Sequence, residues 1–297
     1  MSSVLVLGST GAIGFDIAAA FLNKGFKVYG LTRDQEKAKF LQKNEIIPIV
    51  GNAGDVNVWS PIAEKVDVVI EAVGDFTNPA TSDSIFAKLK EISAKRKELT
   101  VIYTSGGMVY GEHDQELVFE NSKKVVVNGL ISGRVDIENQ YLSIGAIVVQ
   151  PSFVFGRKGS ASGVYFDIAT KHTGDVTIFG KATQYRSFVH SYDLAQLYLL
   201  IALRGQSLRG EVFIANSHYI RTEELIRDVA RVANIPIKSV NYVSPPDDNP
   251  MAQILAVSLK LSSKKAQTIL GWNPTQPSLS DDIERYYQAW KLSKEQQ

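Results

Sequence analysis

The chain has 297 residues, which suggests about two domains, or one large α/β domain with a subdomain. Its 44% hydrophobic and 21% charged residues are close to the composition of ordinary globular proteins. Its 32 basic and 31 acidic residues give a net charge of +1, which argues against a basic groove for nucleic acid or a polybasic membrane patch. The absence of cysteine excludes disulfides and thiolate chemistry, and the spacing of the four His residues excludes a helical zinc pair, so we expect no metal.

No apolar run reaches the length of about 18 residues that a membrane-spanning helix needs. The N-terminus does not resemble a signal peptide, because Ser3–Leu7 already has the pattern of a strand. We therefore expect a cytoplasmic protein, a monomer or homodimer, whose partner is a small-molecule substrate and neither a nucleic acid nor a membrane.

Short apolar runs alternate with longer amphipathic segments through the first two-thirds of the chain. These runs are nearly continuous and β-branched, which is typical of parallel strands covered by helices on both faces. The predicted strands are Val4–Leu7, Lys27–Thr32, Ile46–Val50, Val66–Ala72, Leu99–Tyr103 and Ala146–Gln150. The predicted helices are Phe15–Asn23, Gln35–Gln42, Thr81–Lys97 and Asn128–Ser143. The alternation predicts an α/β fold with a doubly wound parallel (Rossmann) sheet.

The pattern changes after Pro151. A glycine- and serine-rich loop is predicted at Gly156–Gly163, and a proline-rich run at 245–250 separates two later elements. The later predicted elements are the helices Tyr192–Leu203, Thr222–Ala233 and Ser278–Lys291 and the strands Val212–Ala215 and Ser239–Val243. We expect residues 1–155 to form a dinucleotide-binding domain, with a return segment near 185–215, and residues 156–297 to form mainly a smaller mixed α/β substrate subdomain.

A glycine-rich turn follows the first predicted strand and opens the first predicted helix. Glycine lets the backbone approach a pyrophosphate closely, and the helix N-terminus then offers free N–H groups and a positive dipole end to the anion. Packing alone also requires glycine at many such turns, but here strand, turn and helix follow in the order of a dinucleotide-binding unit. The residues predicted to bind the cofactor in this turn are Gly8, Ser9, Thr10, Gly11, Ala12, Ile13 and Gly14.

The end of the second predicted strand favours NADP over NAD. An NAD site usually has Asp or Glu there to hold the ribose 2′-hydroxyl, whereas a 2′-phosphate is usually held by Arg. Here the strand ends at Thr32, Arg33 follows it, and Lys37 stands one helical turn onward. A guanidinium can hold a phosphate through two hydrogen bonds. We therefore predict NADP at these three residues; the alternative is that Arg33 is a solvated loop residue.

Seven motifs, spread over nearly the whole chain, carry a resemblance to one enzyme family. They are the glycine spacing of Gly8–Gly14 and the segments Gly51–Asp55, Glu71–Gly74, Tyr103–Gly111, Gln150–Gly156, Arg186–Ala195 and Leu270–Pro274. In their order and spacing the chain resembles the short-chain dehydrogenase/reductase superfamily, in its extended or atypical branch of NAD(P)-dependent epimerase/dehydratase-like proteins.

This resemblance implies that several strand ends contact the cofactor. In the family, the counterpart of Gly51–Asp55 lies by the adenine, that of Gln150–Gly156 passes the nicotinamide, and that of Arg186 can hold a substrate phosphate. The further cofactor contacts that the resemblance implies are Asn52, Ala53, Ala72, Val73, Gly74, Thr104, Ser105, Arg134, Pro151, Ser152 and Phe153.

The usual catalytic pair of the family is degenerate in this chain. Members of the family use a Tyr as acid and base, with a Lys one turn along the helix that lowers the pKa of the Tyr. The alignment places Leu130 at the Tyr position and Arg134 at the Lys position. Leucine has no titratable proton, and arginine donates hydrogen bonds without cycling a proton. The family's Ser position falls on Gly106, beside Ser105.

Other residues are candidates for catalytic work. We retain Ser105, Tyr110, His113, Arg134 and Tyr165, although packing or a solvated loop also explains Tyr110, His113 and Tyr165. The literal Tyr-x-x-x-Lys at Tyr287–Lys291 lies in the last predicted helix, and we interpret it as a surface pair. We interpret His190 as structural and Asp193 as a helix cap or first-turn acid.

Two functions from different classes follow. The first is an NADP-dependent oxidoreductase or epimerase-like enzyme that acts on a carbonyl or sugar-like substrate without the usual Tyr and Lys. The alternative is a non-catalytic NADP-binding regulator or redox sensor of the NmrA type, whose members resemble this branch, bind the dinucleotide and lack the Tyr. A third possibility, a structural descendant without cofactor, is disfavoured by the intact glycine turn.

Overall fold

A computed structural model describes residues 1–74, 79–113, 116–157, 161–171 and 174–295 of the chain. The strands are β1 Ser3–Leu7, β2 Lys27–Thr32, β3 Ile47–Val50, β4 Val68–Glu71, β5 Thr100–Thr104, β6 Leu117–Val118, β7 Ile147–Pro151, β8 Phe153–Phe155, β9 Gly174–Phe179, β10 Tyr185–His190, β11 Val212–Ala215, β12 His218–Arg221, β13 Ile237–Val243 and β14 Lys260–Leu261. The α-helices are α1 Gly14–Asn23, α2 Gln35–Lys43, α3 Val56–Ala63, α4 Pro79–Lys95, α5 Gly129–Ser132, α6 Arg134–Ser143, α7 Gly163–Lys171, α8 Ser191–Arg204, α9 Thr222–Val232, α10 Pro250–Ala256, α11 Lys264–Leu270 and α12 Ile283–Glu295. Two 3₁₀ helices occupy Gly107–Tyr110 and Gly205–Leu208.

The large sheet has seven strands in the order β11-β7-β5-β4-β1-β2-β3. Its six strands from β7 to β3 are parallel, and Val4 in β1 lies opposite Val28 on one side and Val68 on the other. The side chains of Val4–Leu7 are fully buried, so both faces of β1 are covered. The structure confirms the predicted doubly wound α/β class. The strand order reverses between β1 and β4, and sheets of this kind bind ligands outside the carboxyl ends at such a point.

The predicted strands of this sheet agree with the observed ones to within two residues at each end. The prediction of one helix over Asn128–Ser143 is wrong, because α5 ends at Ser132 and α6 begins at Arg134. Gly133 lies between them, and glycine has a low helix propensity. Helix α3 was not predicted from the sequence, because it is short and contains Pro61.

Contacts within the chain define two compact units, each made of three segments. The first unit comprises Met1–Ser105, Asp136–Gln150 and Leu194–Phe213, and the second comprises Gly106–Val135, Pro151–Asp193 and Ile214–Gln297. These bounds differ from the predicted ones, because residues 106–135 fall in the second unit and the return to the first unit begins at Leu194. The reason for the later return is that β10 pairs with β8 and β12, which are also parts of the second unit.

The second unit has its own small sheets and its own apolar core. One sheet has the order β12-β10-β8, and β13 pairs in parallel with β9. The core packs the rings of Phe155, Phe166 and Phe188 with apolar side chains of the amphipathic helix α9. Asp193, in the first turn of α8, accepts hydrogen bonds from the backbone N–H groups of Thr275 and Gln276, so it also holds the segment after α11.

Candidate functional site

The turn after β1 is built on glycines that no other residue could replace without movement. Gly8 has a φ of +85°, and a Cβ atom added to it would lie 2.5 Å from the carbonyl oxygen of Ala72. A Cβ atom on Gly14 would lie 2.2 Å from the carbonyl oxygen of Gly8. Gly11 differs from both, since its added Cβ would keep 3.3 Å from the same oxygen. Gly8 and Gly14 are therefore required by packing, whereas a small side chain at Gly11 needs its neighbour to move by only a few tenths of an ångström.

The same turn leads directly into α1. The N–H of Gly11 donates to the carbonyl of Gly8 at 3.0 Å, and the N–H of Phe15 donates to the carbonyl of Gly11 at 3.3 Å. Within the described chain, no side chain caps the N-terminus of α1 at Ile13. An uncapped helix N-terminus leaves N–H groups and the positive end of the dipole available to an anion.

A pocket of about 440 Å³ opens beside this turn, within the first unit. Its lining combines the turn with the carboxyl ends of β2, β3 and β4 and the start of α4, and consists of Gly8, Thr10, Gly11, Leu31, Thr32, Arg33, Lys37, Gly51, Asn52, Ala53, Ala72, Val73, Gly74 and Thr81. Eleven of these residues are among the predicted cofactor ligands. The volume is in the range of small-molecule and cofactor sites.

One wall of the pocket is cationic. Arg33 and Lys37 both line it and are exposed. Neither side chain forms an ion pair or a hydrogen bond with the residues that the structure describes. Another part of the lining is the loop after β3, where the N–H of Gly51 donates to the carbonyl of Thr32 and the indole N–H of buried Trp59 donates to the carbonyl of Ala53 at 2.9 Å. The lining of the pocket thus combines two cations that have no partner among the described residues with a mostly uncharged loop that is held by hydrogen bonds.

Sequence reasoning missed three lining residues, Leu31, Gly51 and Thr81. Leu31 immediately precedes the predicted ligand Thr32, and Gly51 opens the motif Gly51–Asp55, of which only Asn52 and Ala53 were predicted as ligands. Thr81 comes from α4, and no local pattern in the sequence signals its place in the pocket. Conversely, Ser9, Ala12, Ile13 and Gly14 belong to the turn but do not line the pocket.

Two further predicted ligands lie in the first unit at the end of β5. Thr104 accepts a hydrogen bond from the hydroxyl of Tyr198 at 2.8 Å. The backbone N–H of Ser105 donates to the carbonyl of Val149, and its buried hydroxyl has no hydrogen-bond partner in the described part of the chain. Neither residue lines the pocket beside the glycine turn. The hydroxyl of Ser105 is thus buried and without a hydrogen-bond partner among the described residues.

The predicted residues Arg134, Pro151, Ser152 and Phe153 belong to the second unit. Arg134 begins α6 and is half-buried, Pro151 ends β7, Ser152 donates its N–H to the carbonyl of Ala215, and Phe153 begins β8. None of these four residues lines the pocket of the first unit. The backbone of Leu130 lies in α5, but its side chain is outside the part of the chain that the structure describes, as are residues 158–160 of the predicted glycine- and serine-rich loop.

The candidate acids and bases of the second unit are held by local contacts. Tyr110 is 0% exposed and donates its hydroxyl to the carbonyl of Glu120 at 3.2 Å. Tyr165 is 1% exposed, and burial raises the pKa of its hydroxyl, against an opposing effect of Arg186. A ring nitrogen of His113 lies 3.0 Å from the carbonyl of Lys123. His190 accepts the N–H of Tyr192, in keeping with a structural role.

The resemblance implies that Arg186 holds a substrate phosphate, and the structure gives its guanidinium other partners. The side chain is 1% exposed and stacks 4.8 Å above the ring of Phe153. Its Nη2 donates to the carbonyls of Ile254 and Leu255, near the C-terminus of α10.

Tyr287, from the literal Tyr-x-x-x-Lys, packs its ring 5.7 Å from that of Trp290 in α12.

The described ranges contain no group of three or more His, Asp or Glu side chains placed to hold a metal ion. Those same ranges contain no helix long and apolar enough to cross a bilayer.

Comparison with protein families and curated proteins agrees with the geometry. Residues 1–90 match the NmrA-like family, and residues 134–215 match the NAD dependent epimerase/dehydratase family. The chain is 25% identical to the uncharacterized protein YLL056C of Saccharomyces cerevisiae, over 96% of this chain and 98% of that protein. It is 24% identical to the UDP-glucose 4-epimerase of Halalkalibacterium halodurans, over 99% of this chain and 96% of that protein.

Solved structures share the fold over the full chain. The dTDP-glucose 4,6-dehydratase of Bacillus anthracis, in complex with NAD, superposes with a TM-score of 0.81 at 15% identity, covering 99% of this chain and 98% of that one. The UDP-glucuronic acid 4-epimerase of Bacillus cereus, also with NAD, gives 0.79 at 20% identity, covering 98% and 99%. With its glycine turn, its sheet order and the two partial family matches, the chain is similar to proteins of the NmrA-like and NAD dependent epimerase/dehydratase families.

Proposed function

We propose that the pocket of the first unit binds NADP(H) in preference to NAD(H). The cationic wall is the observation that carries this proposal, because Arg33 and Lys37 both line the pocket and are free of partners in the described chain. A ribose 2′-phosphate is a dianion that matches two free cations, whereas a 2′-hydroxyl is usually held by a carboxylate. No Asp or Glu is among the described residues that line this pocket.

The remaining lining residues fit the rest of the cofactor. The turn Gly8–Gly11 and the uncapped N-terminus of α1 would hold the pyrophosphate, and Asn52 and Ala53 would lie against the adenine. At Gly8 and Gly14 backbone packs closely against backbone, which glycine allows, so the turn keeps the tight shape that leads into α1. When bound, the nicotinamide supplies or accepts a hydride.

We further propose that the protein is an oxidoreductase or epimerase-like enzyme acting on a small carbonyl or sugar-like compound. The epimerase and dehydratase relatives match both units and not only the nucleotide-binding half. In place of the missing Tyr, this chain has the buried hydroxyl of Ser105 at the end of β5, without a partner in the described residues. That hydroxyl is the group we expect to donate a hydrogen bond to the substrate oxygen.

A specific observation favours a second candidate, the non-catalytic NADP-binding regulator. The tyrosines that could replace the missing acid, Tyr110 and Tyr165, are 0% and 1% exposed and are enclosed by the second unit. The match of residues 1–90 to the NmrA-like family covers the pocket of the first unit. In this candidate function, the bound cofactor would control the binding of a partner protein.

The cofactor proposal is tested by measuring dissociation constants for NADPH and NADH with the purified protein. We expect tighter binding of NADPH, and we expect Arg33→Ala and Lys37→Ala each to weaken it about tenfold or more while leaving NADH nearly unchanged. Lys39→Ala is the matched control, because Lys39 is also on α2 but pairs with Glu36 at 2.7 Å and does not line the pocket. Equal affinities of the wild type for both cofactors would reject the proposal.

A panel of aldehydes, ketones and sugar-like compounds separates the two functions. An enzyme should oxidise NADPH with at least one of them, and Ser105→Ala should lower kcat more than it raises KM. Tight NADPH binding without turnover on any compound would support the regulator instead.

A further inference from the structure

The two cations of the proposed phosphate site are carried by different parts of the backbone. Arg33 stands in the link after β2, whereas Lys37 is in the first turn of α2. Both side chains line the same pocket, and the angle that the link sets between strand and helix determines how they are presented to it. Asp34 lies between them, and an acid at this place would repel a bound phosphate if its carboxylate faced the pocket.

The carboxylate of Asp34 is engaged elsewhere. It caps α2, since its Oδ1 accepts the backbone N–H of Glu36 at 2.7 Å and that of Lys37 at 3.3 Å. The backbone of Asp34 is extended, with φ −122° and ψ 129°, as is usual for an N-cap residue. Asp34 is not among the residues that line the pocket. Its charge thus stabilises the helix start that carries Lys37.

Other hydrogen bonds connect this cap to the pyrophosphate-binding turn. The N–H of Asp34 donates to the hydroxyl of Thr32 at 3.4 Å, and that hydroxyl lies 3.5 Å from the hydroxyl of Thr10. The hydroxyl of Ser9, which is fully buried, donates to the carbonyl of Leu31 at 3.0 Å. The turn, the end of β2 and the start of α2 are therefore linked by side-chain contacts.

We infer that Asp34 is a positioning residue for recognition of the 2′-phosphate, an inference that rests on the proposed binding of NADP(H). By capping α2, Asp34 fixes the link in the conformation that presents Arg33 and Lys37 to one pocket. Without the cap, the first turn of α2 frays and the two cations must be ordered when the phosphate binds, which weakens binding. A merely structural cap would affect stability without affecting the choice between cofactors.

Three substitutions of Asp34 test the inference, with dissociation constants measured for NADPH, NADH and 2′,5′-ADP. Asp34→Ala should weaken NADPH and 2′,5′-ADP about fivefold, the factor that the loss of a typical N-cap represents, and should leave NADH within about twofold. Asp34→Ser keeps a capping oxygen and should restore the wild-type preference. Asp34→Asn keeps the cap and removes the negative charge, so it should bind NADPH at least as tightly as the wild type.

Asn249→Ala is the matched control, because Asn249 caps α10 by accepting the N–H of Ala252 at 3.0 Å and lies in the second unit. It should lower the melting temperature without changing the ratio of the two cofactor affinities. An unchanged ratio in Asp34→Ala would overturn the inference, and so would weaker binding of NADH alone, which would make Asp34 a ligand of the ribose hydroxyl. If Arg33→Ala abolishes the NADPH preference and Asp34→Ala does not, only the inference fails; a wild type without that preference overturns the proposed function as well.

Discussion

Alanine at Gly14 should lower the stability of the protein, whereas alanine at Gly11, in the same turn after β1, should weaken cofactor binding. In Gly14→Ala the new Cβ would lie 2.2 Å from the carbonyl oxygen of Gly8, so backbone atoms must separate by about 1 Å to reach an ordinary contact. Gly8 has little room to move, because its own Cα already faces the carbonyl of Ala72. We expect a loss of about 2–3 kcal/mol in the free energy of unfolding, after the helix-favouring effect of alanine, and a melting temperature lower by about 5–10 °C.

Gly11→Ala should leave stability nearly unchanged and impair binding. Its Cβ would lie 3.3 Å from the carbonyl oxygen of Gly8, which a small adjustment accommodates, and Gly11 lines the pocket. A methyl group there takes the space next to the pyrophosphate, so we expect NADPH affinity to fall about tenfold or more and the melting temperature by less than about 2 °C. Gly11→Asp should bind still more weakly, because its charge repels the pyrophosphate.

Thermal melts and NADPH titrations of the three variants decide between these roles. A Gly14→Ala variant that melts like the wild type would contradict the packing role of Gly14, since the contact with Gly8 would then be relieved without cost. Unchanged NADPH affinity in both Gly11 variants would show that this glycine does not face the cofactor.

Two further predictions concern buried side chains. Trp59→Phe removes the donor to the carbonyl of Ala53 and should cost about 1–2 kcal/mol of stability while weakening NADPH and NADH equally; a change in their ratio in paired titrations would contradict this. Burial lowers the pKa of His218 from 6.5 to about 4, against an opposing effect of Asp281, and its Nε2 accepts the N–H of Leu279. The neutral ring should therefore contribute at most about 3 kcal/mol to the free energy of unfolding above pH 6.5, and this contribution should be lost as the pH falls towards 4. Denaturant titrations at several pH values should show that the stability of His218→Gln falls less steeply with acid than that of the wild type. Equal slopes would contradict the assignment.

The large sheet could be predicted because its strands are buried on both faces, so each appears as a continuous apolar run. The run Val4–Leu7 is the clearest case. In the second unit, β9 alternates buried and exposed residues and β10 contains Arg186 and His190, which look polar in the sequence although both are buried. Their burial depends on partners far along the chain, so local patterns did not reveal these strands.

The same distinction between local patterns and distant partners holds at the site. The glycine turn and Arg33 could be predicted because their chemistry depends on neighbours in sequence. Thr81 could not be predicted, since it reaches the pocket from α4, a helix that begins about fifty residues after the end of β2. The partners of Arg186 are equally remote, because the carbonyls of Ile254 and Leu255 lie about seventy positions further along the chain.

The interleaved segments of the two units have a consequence for how the protein is made. The neighbour of β7 in the large sheet is β11, which the ribosome synthesises only after about sixty more residues. Until then the nascent polypeptide presents β7 as a bare edge, a template for pairing with other chains. A gene fragment cut after residue 155 would make that exposure permanent, so expression trials that isolate the nucleotide-binding half should yield aggregates, whereas the intact gene should not.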